Sequence, residues 1–340
     1  MLPVMKPPGK IKIAFYLCGL SGAALFTGLL VRQGVSHVTM AFATVRWWLA
    51  AVIAYHLVAP IFFDSIAWGL LFPNDNRLPM RKLLLMRWIS ESINVLVPSA
   101  TIGGDIVRAR LAALDGVPVS IAAASVIVDV TLNLFCLAGY GLLGLLLLVG
   151  ASGERDFVRP ILAGTAIGVA AFTGFYIAQR RGMFHFLARV VVRIASAPAW
   201  QSLVQGGEKL DRMVLALYAR RLSVAVSCAA SIVALVGGAG EIWIGMRALG
   251  LETSLVNAVI LHTMVATVRS AAFLVPGALG VQEGGYVFVG HLLGIPGEAA
   301  FALSLIGRVR ELTLGIPGLI AWQWIESRRL WKAGAAREGK

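Results

Sequence analysis

Charged side chains are scarce in this sequence. Asp, Glu, Lys and Arg make up 14% of its 340 residues, whereas they make up about 25% of a typical soluble domain. Apolar residues make up 58% and the mean hydropathy is +0.81, whereas about 45–50% apolar is usual in soluble domains. Because a soluble fold of this length cannot bury so much apolar surface, the sequence predicts an integral membrane protein.

Cysteine pairs and the common motifs of enzymes are also lacking. Cys18, Cys136 and Cys228 stand singly in apolar segments, so we predict no disulfide framework and no thiol redox motif. The five histidines show no HxxxH or HExxH spacing, and no nucleophile elbow, Walker A or dinucleotide-binding motif is present. We therefore expect no metal and no cofactor, and we interpret the glycine-rich run at 236–240 as a site of close helix packing.

Six apolar segments are long enough to cross the roughly 30 Å hydrocarbon core of a bilayer as helices. They cover residues 11–31, 45–72, 117–149, 161–178, 222–246 and 297–324. The first resembles a signal peptide, but no A-x-A cleavage site closes it, so we expect an uncleaved span. The fold class is therefore predicted to be all-α, a polytopic membrane protein with about six full spans.

Lysine and arginine lie mostly in the gaps between the apolar segments. The 30 basic and 17 acidic residues give a net charge of +13, and such cations concentrate in cytoplasmic loops. Basic clusters at 6–12, 77–82, 180–221 and 328–340 therefore predict a bacterial inner-membrane protein with both termini in the cytoplasm. The mixed basic and apolar segment 180–221 is expected to lie on the inner leaflet against anionic headgroups, with no nucleic-acid partner.

The chain contains an internal repeat at an offset of 178 residues. Leu96-Val97-Pro98-x-Ala100 matches Leu274-Val275-Pro276-x-Ala278, and Asp105 falls on Glu283. In the first copy, residues 83–97 extend only about 22 Å as a helix and are followed by cations at 108 and 110, so we predict that 83–116 is a re-entrant hairpin entering from the cytoplasm. Its copy at 261–294 is flanked by outer loops, so the two repeats are predicted to be inverted, an arrangement typical of transporters.

These observations predict a single membrane domain over residues 1–340. Its parts are a first span, repeat 1, an extra span, a basic cytoplasmic amphipathic linker, repeat 2 and a basic tail. In that order they cover residues 11–31, 45–149, 161–178, 180–221, 222–325 and 326–340.

Several charged residues fall inside the apolar segments, where a charge at the bilayer centre costs on the order of 2.5–3.5 kcal/mol. The basic ones are Arg87, Arg269, Arg308 and Arg310, and the acidic ones are Glu91, Asp105, Asp129, Glu241, Glu283 and Glu311. Such groups are expected to pair or to line a wet cavity. The offset places position 91 on 269 and position 129 beside 308, so we hypothesise ion pairs Glu91–Arg269 and Asp129–Arg308 between the repeats.

Proline and glycine mark the tips of the two hairpins. The tip residues are Pro98, Gly103 and Gly104 in the first copy and Pro276, Gly277 and Gly280 in the second. Helices that begin after these tips can direct free backbone amides at an anionic group such as a phosphate. A purely architectural turn is the alternative.

The candidate substrate-binding or translocation residues combine these charges with nearby polar side chains. They are Arg87, Glu91, Asn94, Asp105, Asp129, Arg269, Gln282, Glu283, Arg308 and Glu311. Arg87, Glu91 and Asn94 share one helix face because their spacing is i, i+4, i+7. We expect Arg269 and Arg308 to bind a phosphate, Glu91 and Asp129 to compensate them in the empty state, and Asp105 and Glu283 to accept protons.

The sequence resembles the transmembrane, flippase-like family of the lysylphosphatidylglycerol synthases. The motifs that carry the resemblance are Arg87-Trp88-x-x-Glu91-Ser92-x-Asn94-x-Leu96-x-Pro98, Gly103-Gly104-Asp105-x-x-Arg108 and Pro276-Gly277-x-x-Gly280-Val281-Gln282-Glu283-Gly284-Gly285. Within the family it is most similar to the hopanoid-biosynthesis-associated membrane proteins. The resemblance implies movement of an anionic or hopanoid-related lipid between leaflets. Relatives that synthesise the lipid carry a further soluble domain, so we expect no enzymatic activity here.

Three other functions fit the same pattern. A transporter for a small polar solute would need a cavity closed to lipid, whereas a lipid translocase needs a lateral opening. An intramembrane enzyme acting on a polyprenyl or hopanoid lipid would use Asp105 and Glu283 as acid and base. A scaffold for lipid-biosynthesis enzymes would tolerate loss of the buried charges. The sequence leaves the oligomeric state open.

Overall fold

The computed structural model describes residues 46–97, 102–152, 158–187, 189, 201–252, 254–272 and 275–338. Within these residues the regular structure is helical throughout, and no strand is present. The predicted first span at 11–31 and the tip residue at position 98 lie outside the described residues.

The helices follow the apolar segments of the sequence. The first predicted span of repeat 1 forms two helices joined by a π-helical turn at Leu57–Ile61, and short 3₁₀ turns occupy Asn74–Asn76 and Pro276–Ala278. The α-helices are α1 (Arg46–His56), α2 (Phe62–Gly69), α3 (Met80–Leu96), α4 (Gly103–Leu114), α5 (Val119–Ser152), α6 (Val158–Arg180), α7 (Gln201–Ala219), α8 (Arg221–Ala248), α9 (Leu255–Ala271), α10 (Val281–Leu292) and α11 (Gly297–Glu338).

Three described helical segments are long and apolar enough to cross a membrane: Trp47–Gly69, Val119–Gly150 and Arg221–Ala248. Helices also cover the predicted spans at 161–178 and 297–324, as parts of α6 and α11. The prediction of an all-helical polytopic membrane protein is therefore confirmed.

The helices repeat at the offset found in the sequence. Shifting α4 by 178 residues gives the bounds of α10, and shifting the first residue of α5 gives the first residue of α11. Each short helix ends in the same Schellman turn: Val117 N donates to Ala112 O at 3.2 Å, and Ile295 N donates to Gly290 O at 2.8 Å. The glycine of each turn has a positive φ, 98° at Gly116 and 72° at Gly294. The two copies thus share local structure as well as sequence.

The two arms of each hairpin run in opposite directions. In the first hairpin, Lys82 Nζ lies 3.5 Å from Asp115 Oδ2, and Ser90 Oγ lies 3.5 Å from Asp105 Oδ1. In the second, Arg269 Nη1 lies 2.6 Å from Gln282 Oε1. The midpoint between positions 90 and 105 and the midpoint between positions 269 and 282 are about 178 residues apart, the same offset again.

The chain divides into two compact units. One is formed by Ala54–Ser90 and Gly104–Glu241, and the other includes Glu91–Gly103 and Ile242–Lys340. The division passes through α3, so its last residues, from Glu91, pack with the helices of the second repeat.

Helix α7 differs from what the sequence suggested for the segment 180–221. We expected a surface helix whose apolar face enters lipid, but Val214 and Leu217 of α7 are buried in a core with Val128 and Leu132 of α5. Val214 and Leu217 therefore pack against protein rather than against lipid. Most of 181–200 lies outside the described residues.

Candidate functional site in two buried charge clusters

A first charge cluster joins helices α2, α3, α4 and α5. It consists of Asp64, Arg87, Asp105, Arg108 and Asp129. Arg108 Nη1 donates to Asp129 Oδ2 at 2.6 Å and Arg108 Nη2 donates to Asp105 Oδ1 at 2.9 Å. Arg87 Nη2 donates to Asp64 Oδ2 at 2.6 Å, and its Nη1 lies 3.4 Å from Asp129 Oδ2. Three carboxylates thus surround two guanidinium groups.

The centre of the first charge cluster is closed to solvent. The side chains of Arg108 and Asp129 are 0% and 3% exposed. Burial of either charge alone would strongly destabilise the fold, and the attraction between the two offsets the desolvation cost of both. The guanidinium of Arg108 also lies 4.8 Å from the ring centroid of Trp68, whose indole N–H donates to Ser125 Oγ at 3.1 Å. Arg108 therefore holds the helices of this unit together.

Two members of the first charge cluster were missed in the sequence analysis. Arg108 was assigned to a cytoplasmic surface, whereas the structure buries it completely. Its i, i+3 spacing from Asp105 on one short helix was the available signal. Asp64 was overlooked although it is an acidic residue within an apolar span, which is itself a sign of an intramembrane partner.

A second charge cluster joins the end of α3 to α9, α10 and α11. It consists of Glu91, Arg269, Gln282, Glu283, Arg308, Arg310 and Glu311. Glu311, nearly buried, is its centre: it accepts from Arg269 Nη1, lies 3.0 Å from Arg308 Nη1 and lies 3.8 Å from Arg310 Nη2. Three guanidinium groups therefore converge on one carboxylate.

Arg308 holds the tip of the second hairpin in place. Its Nη1 donates to the carbonyl oxygen of Gly277 at 2.6 Å, and its Nη2 lies 3.3 Å from the carbonyl oxygen of Ala278. Both residues have positive φ, 59° and 49°, a conformation that costs energy at an alanine. Arg308 Nε donates to Glu283 Oε1 at 2.7 Å. The donors of Arg308 thus stabilise the tip rather than face a ligand.

Glu283 caps its own helix. It is fully buried, and its Oε2 accepts from the backbone N–H of Gly280 at 2.7 Å while its Oε1 accepts from Arg308. We expected the amides at the start of α10 to be available to an anion, but this carboxylate already occupies that position. Asp105, the equivalent residue of the first repeat, likewise accepts from an arginine.

Arg269 presents donors that the protein does not use. Its Nη1 donates to Gln282 Oε1 at 2.6 Å and to Glu311 Oε1. Within the described part of the chain, its Nε and Nη2 have no protein acceptor. The side chain is 32% exposed, against 13% for Arg308. Arg269 is therefore the arginine of the second charge cluster best placed to bind an anion that is not part of the protein.

The ion pairs differ from those expected between the repeats. Glu91 of repeat 1 lies 3.7 Å from Arg310 Nη1 of repeat 2, the residue directly before Glu311, whereas Arg269 pairs with Glu311. The contacts of Asp129 are with Arg87 and Arg108, and those of Arg308 are with the second hairpin and Glu311. Each repeat supplies both carboxylates and arginines, so most of these charges pair within their own repeat.

The remaining predicted residues have simpler positions. Asn94 is half-buried near the end of α3. Gly103 and Gly104 are the first residues of α4. In the described residues no group of three or more His, Cys, Asp or Glu side chains is arranged to hold a metal ion.

Comparison with known proteins identifies the family of this chain. No curated protein matches the chain. The family model described as the lysylphosphatidylglycerol synthase TM region matches residues 12–318, which include repeat 1, all but the last seven residues of repeat 2 and both charge clusters. Families of this kind are membrane-associated and related to lipid handling, which agrees with apolar helices that carry buried charges. The chain belongs to the family of the lysylphosphatidylglycerol synthase transmembrane region.

Proposed function

We propose that this protein translocates an anionic lipid between the leaflets of the bacterial inner membrane. The observation that carries the proposal is the second charge cluster, in which Arg269 is one-third exposed and keeps two donor nitrogens unused by described protein groups. A phosphate diester is the anion that a membrane offers in quantity, and a guanidinium binds it through two parallel hydrogen bonds.

Glu91 is the carboxylate that a headgroup would displace. Its side chain is 34% exposed, whereas the side chains of Glu283 and Glu311 are 0% and 4% exposed and in close contact with arginines. A phosphate that takes the place of Glu91 beside Arg310 and Arg269 keeps the three arginines neutralised. The headgroup can then enter without leaving an unpaired charge in the membrane.

The same contacts argue against Glu283 as the acid or base of an intramembrane enzyme. General acid–base chemistry needs a carboxyl group that can reach the substrate. Both oxygens of Glu283 are occupied by Arg308 and the Gly280 amide, and the side chain is fully buried. We therefore propose transport without catalysis. A hopanoid-related lipid as substrate stays a prediction of the sequence resemblance, as do recruitment of lipid-biosynthesis enzymes and the cytoplasmic placement of both termini.

Reconstitution tests the proposal directly. In proteoliposomes with fluorescent phosphatidylglycerol, we expect the native chain to move lipid between leaflets faster than protein-free vesicles do. Arg269→Gln removes a charged hydrogen-bond donor worth about 1.5–3 kcal/mol, so the rate is expected to fall roughly ten- to hundredfold. Arg269→Lys keeps the charge but loses the fork, and an intermediate rate is expected.

Two controls complete the experiment. Arg328→Gln removes an exposed arginine near the end of α11 and is expected to leave the rate unchanged. Fluorescent phosphatidylcholine tests the preference for a net negative headgroup. The proposal is wrong if native protein and empty vesicles move phosphatidylglycerol equally fast, or if Arg269→Gln matches Arg328→Gln.

A further inference from the structure

Two of the three cysteines of the chain meet in the structure, although 92 residues separate them in the sequence. Cys136 Sγ donates to the carbonyl oxygen of Cys228 at 3.7 Å, and the two thiol groups are also in hydrogen-bonding contact with each other. Both thiols are free. Cys136 lies in α5 and Cys228 in α8, two helices that can cross a membrane. The sequence analysis treated them as single cysteines, because spacing along the chain does not reveal this contact.

The packing of two helix faces brings the thiols together. On α5, Val128 and Leu132 lie four residues apart in the core that α5 shares with α7, and Cys136 is the next position of that row. On α8, Val224 and Cys228 are also four residues apart, and both pack against the same core. The contact between the cysteines therefore belongs to regular helices on both sides, and not to a loop.

The two helices belong to different repeats. Helix α5 is the last helix of repeat 1, and α8 is the first helix of repeat 2. In transporters with inverted repeats, access alternates because the helices of one repeat move against those of the other. A covalent bond between α5 and α8 would restrain that movement.

We propose that Cys136 and Cys228 form an oxidation site, at which an organic hydroperoxide dissolved in the membrane converts the two thiols into a disulfide that stops lipid translocation. The effect on translocation rests on the proposed function, whereas the oxidation itself does not. Both side chains are half-buried within membrane-crossing helices, so an apolar oxidant in the bilayer can reach them. Oxidation-sensing cysteines are typically accessible and adjacent to a second cysteine that resolves the first product.

The oxidation proceeds in two steps. One sulfur loses its proton and attacks the terminal oxygen of the hydroperoxide; the O–O bond breaks, the sulfur becomes a sulfenic acid, and the alkoxide takes up the proton and leaves as an alcohol. The second sulfur then attacks the sulfenic sulfur. The S–S bond forms, the S–O bond breaks, and the hydroxide leaves as water with the proton of the second thiol. The hydroperoxide is reduced, and the contact between the thiols holds the second sulfur beside the first.

Disulfide formation is measured first, in the full chain with Cys18→Ser in nanodiscs. The protein is treated with cumene hydroperoxide, denatured and alkylated with N-ethylmaleimide. By mass spectrometry we expect both thiols to be alkylated without treatment and neither after it, together with a linked pair of peptides that contain Cys136 and Cys228. Dithiothreitol is expected to restore both thiols. The matched control combines Cys228→Ala with Val224→Cys, which moves the thiol about 5.4 Å along the same face of α8, and no linked peptides are expected from it.

The effect on translocation is measured in proteoliposomes with fluorescent phosphatidylglycerol, in the same Cys18→Ser background. After hydroperoxide treatment we expect the rate to fall to that of protein-free vesicles, and dithiothreitol to restore it. Cys136→Ser and Cys228→Ser are each expected to move lipid at the unmodified rate before and after treatment, because a single sulfur cannot link α5 to α8. Their rate before treatment also shows that the variants are folded.

Each outcome has one meaning. Thiols that both stay open to maleimide after treatment overturn the oxidation site, as do linked peptides formed equally well by the Val224→Cys control. A disulfide that leaves the rate unchanged, or an equal loss of rate in Cys136→Ser, overturns the effect on translocation and leaves the proposed function standing. A reduced chain that moves no lipid overturns the proposed function, whereas the linked peptides still decide whether the oxidation site exists.

Discussion

Arg108 and Asp129 show what a single buried charge contributes to this fold. Their contact is 2.6 Å long and both side chains are closed to solvent. Asp129→Asn leaves a buried guanidinium with only Asp105 as a charged partner, so we expect the protein to lose about 3–5 kcal/mol of stability. Thermal unfolding in detergent, followed by the tryptophan signal, measures the loss.

Controls separate charge from volume at this site. Asp75→Asn changes an exposed carboxylate in the turn before α3 and is expected to leave unfolding unchanged. A double variant, Arg108→Met with Asp129→Leu, removes both charges, and we expect it to recover at least half of the loss. An Asp129→Asn protein that unfolds with the Asp75→Asn control contradicts a structural role for the pair.

The sequence predicted which charged residues lie within apolar segments, but it did not predict their ion-pair partners. All ten predicted binding residues are in apolar regions by composition, and nine of them, all but Asn94, lie in the two charge clusters. Which carboxylate meets which arginine depends on the rotation of each helix about its axis. A turn of a few tens of degrees decides whether Glu91 reaches Arg269 or Arg310, and no pattern in one sequence fixes that angle.

The hairpin tip shows how one side chain determines the geometry of an element. Arg308 contacts two tip carbonyls and the carboxylate that caps α10. Arg308→Lys keeps the charge next to Glu283 and Glu311 but cannot reach all these acceptors from one ammonium group. We expect amide hydrogen exchange in residues 277–284 to become at least about tenfold faster, measured by mass spectrometry.

The tip prediction has a matched control. Arg212→Lys makes the same change at an exposed arginine of α7, whose contact with Glu208 is 3.9 Å long. Exchange at the tip is expected to stay native in that variant. Unchanged exchange in Arg308→Lys would mean that Gly277 and Ala278 hold their positive φ without help from α11.

The positions of the helices followed from the sequence because they depend on nearby residues. Hydrophobic length located the helices. The two Schellman turns at Gly116 and Gly294 also have a local cause, a glycine two residues before a proline, although they were not predicted. Helix α7 did not follow, because an amphipathic sequence has an apolar face whether it packs on lipid or on protein. Only the buried contacts with α5 distinguish the two cases.

At the scale of the whole molecule, the two repeats consist of equivalent helices that carry different sets of charged residues. The first charge cluster has three carboxylates and two arginines, and the second has three of each. Only the second includes an exposed, incompletely used guanidinium. Translocation by exchange between two equivalent halves requires that they face opposite sides of the membrane, so the function depends on the predicted inversion.

Equivalent loop residues test the inversion. Asn74 and Glu252 are exposed and exactly one repeat offset apart, and basic residues predict the cytoplasmic side for the first and the outer side for the second. In a background without Cys18, Cys136 and Cys228, we expect a membrane-impermeant maleimide to label Glu252→Cys in intact spheroplasts. Asn74→Cys is expected to react only in inside-out vesicles. If both cysteines react from the same side, the repeats are parallel, and exchange of equivalent halves cannot move a lipid across the membrane.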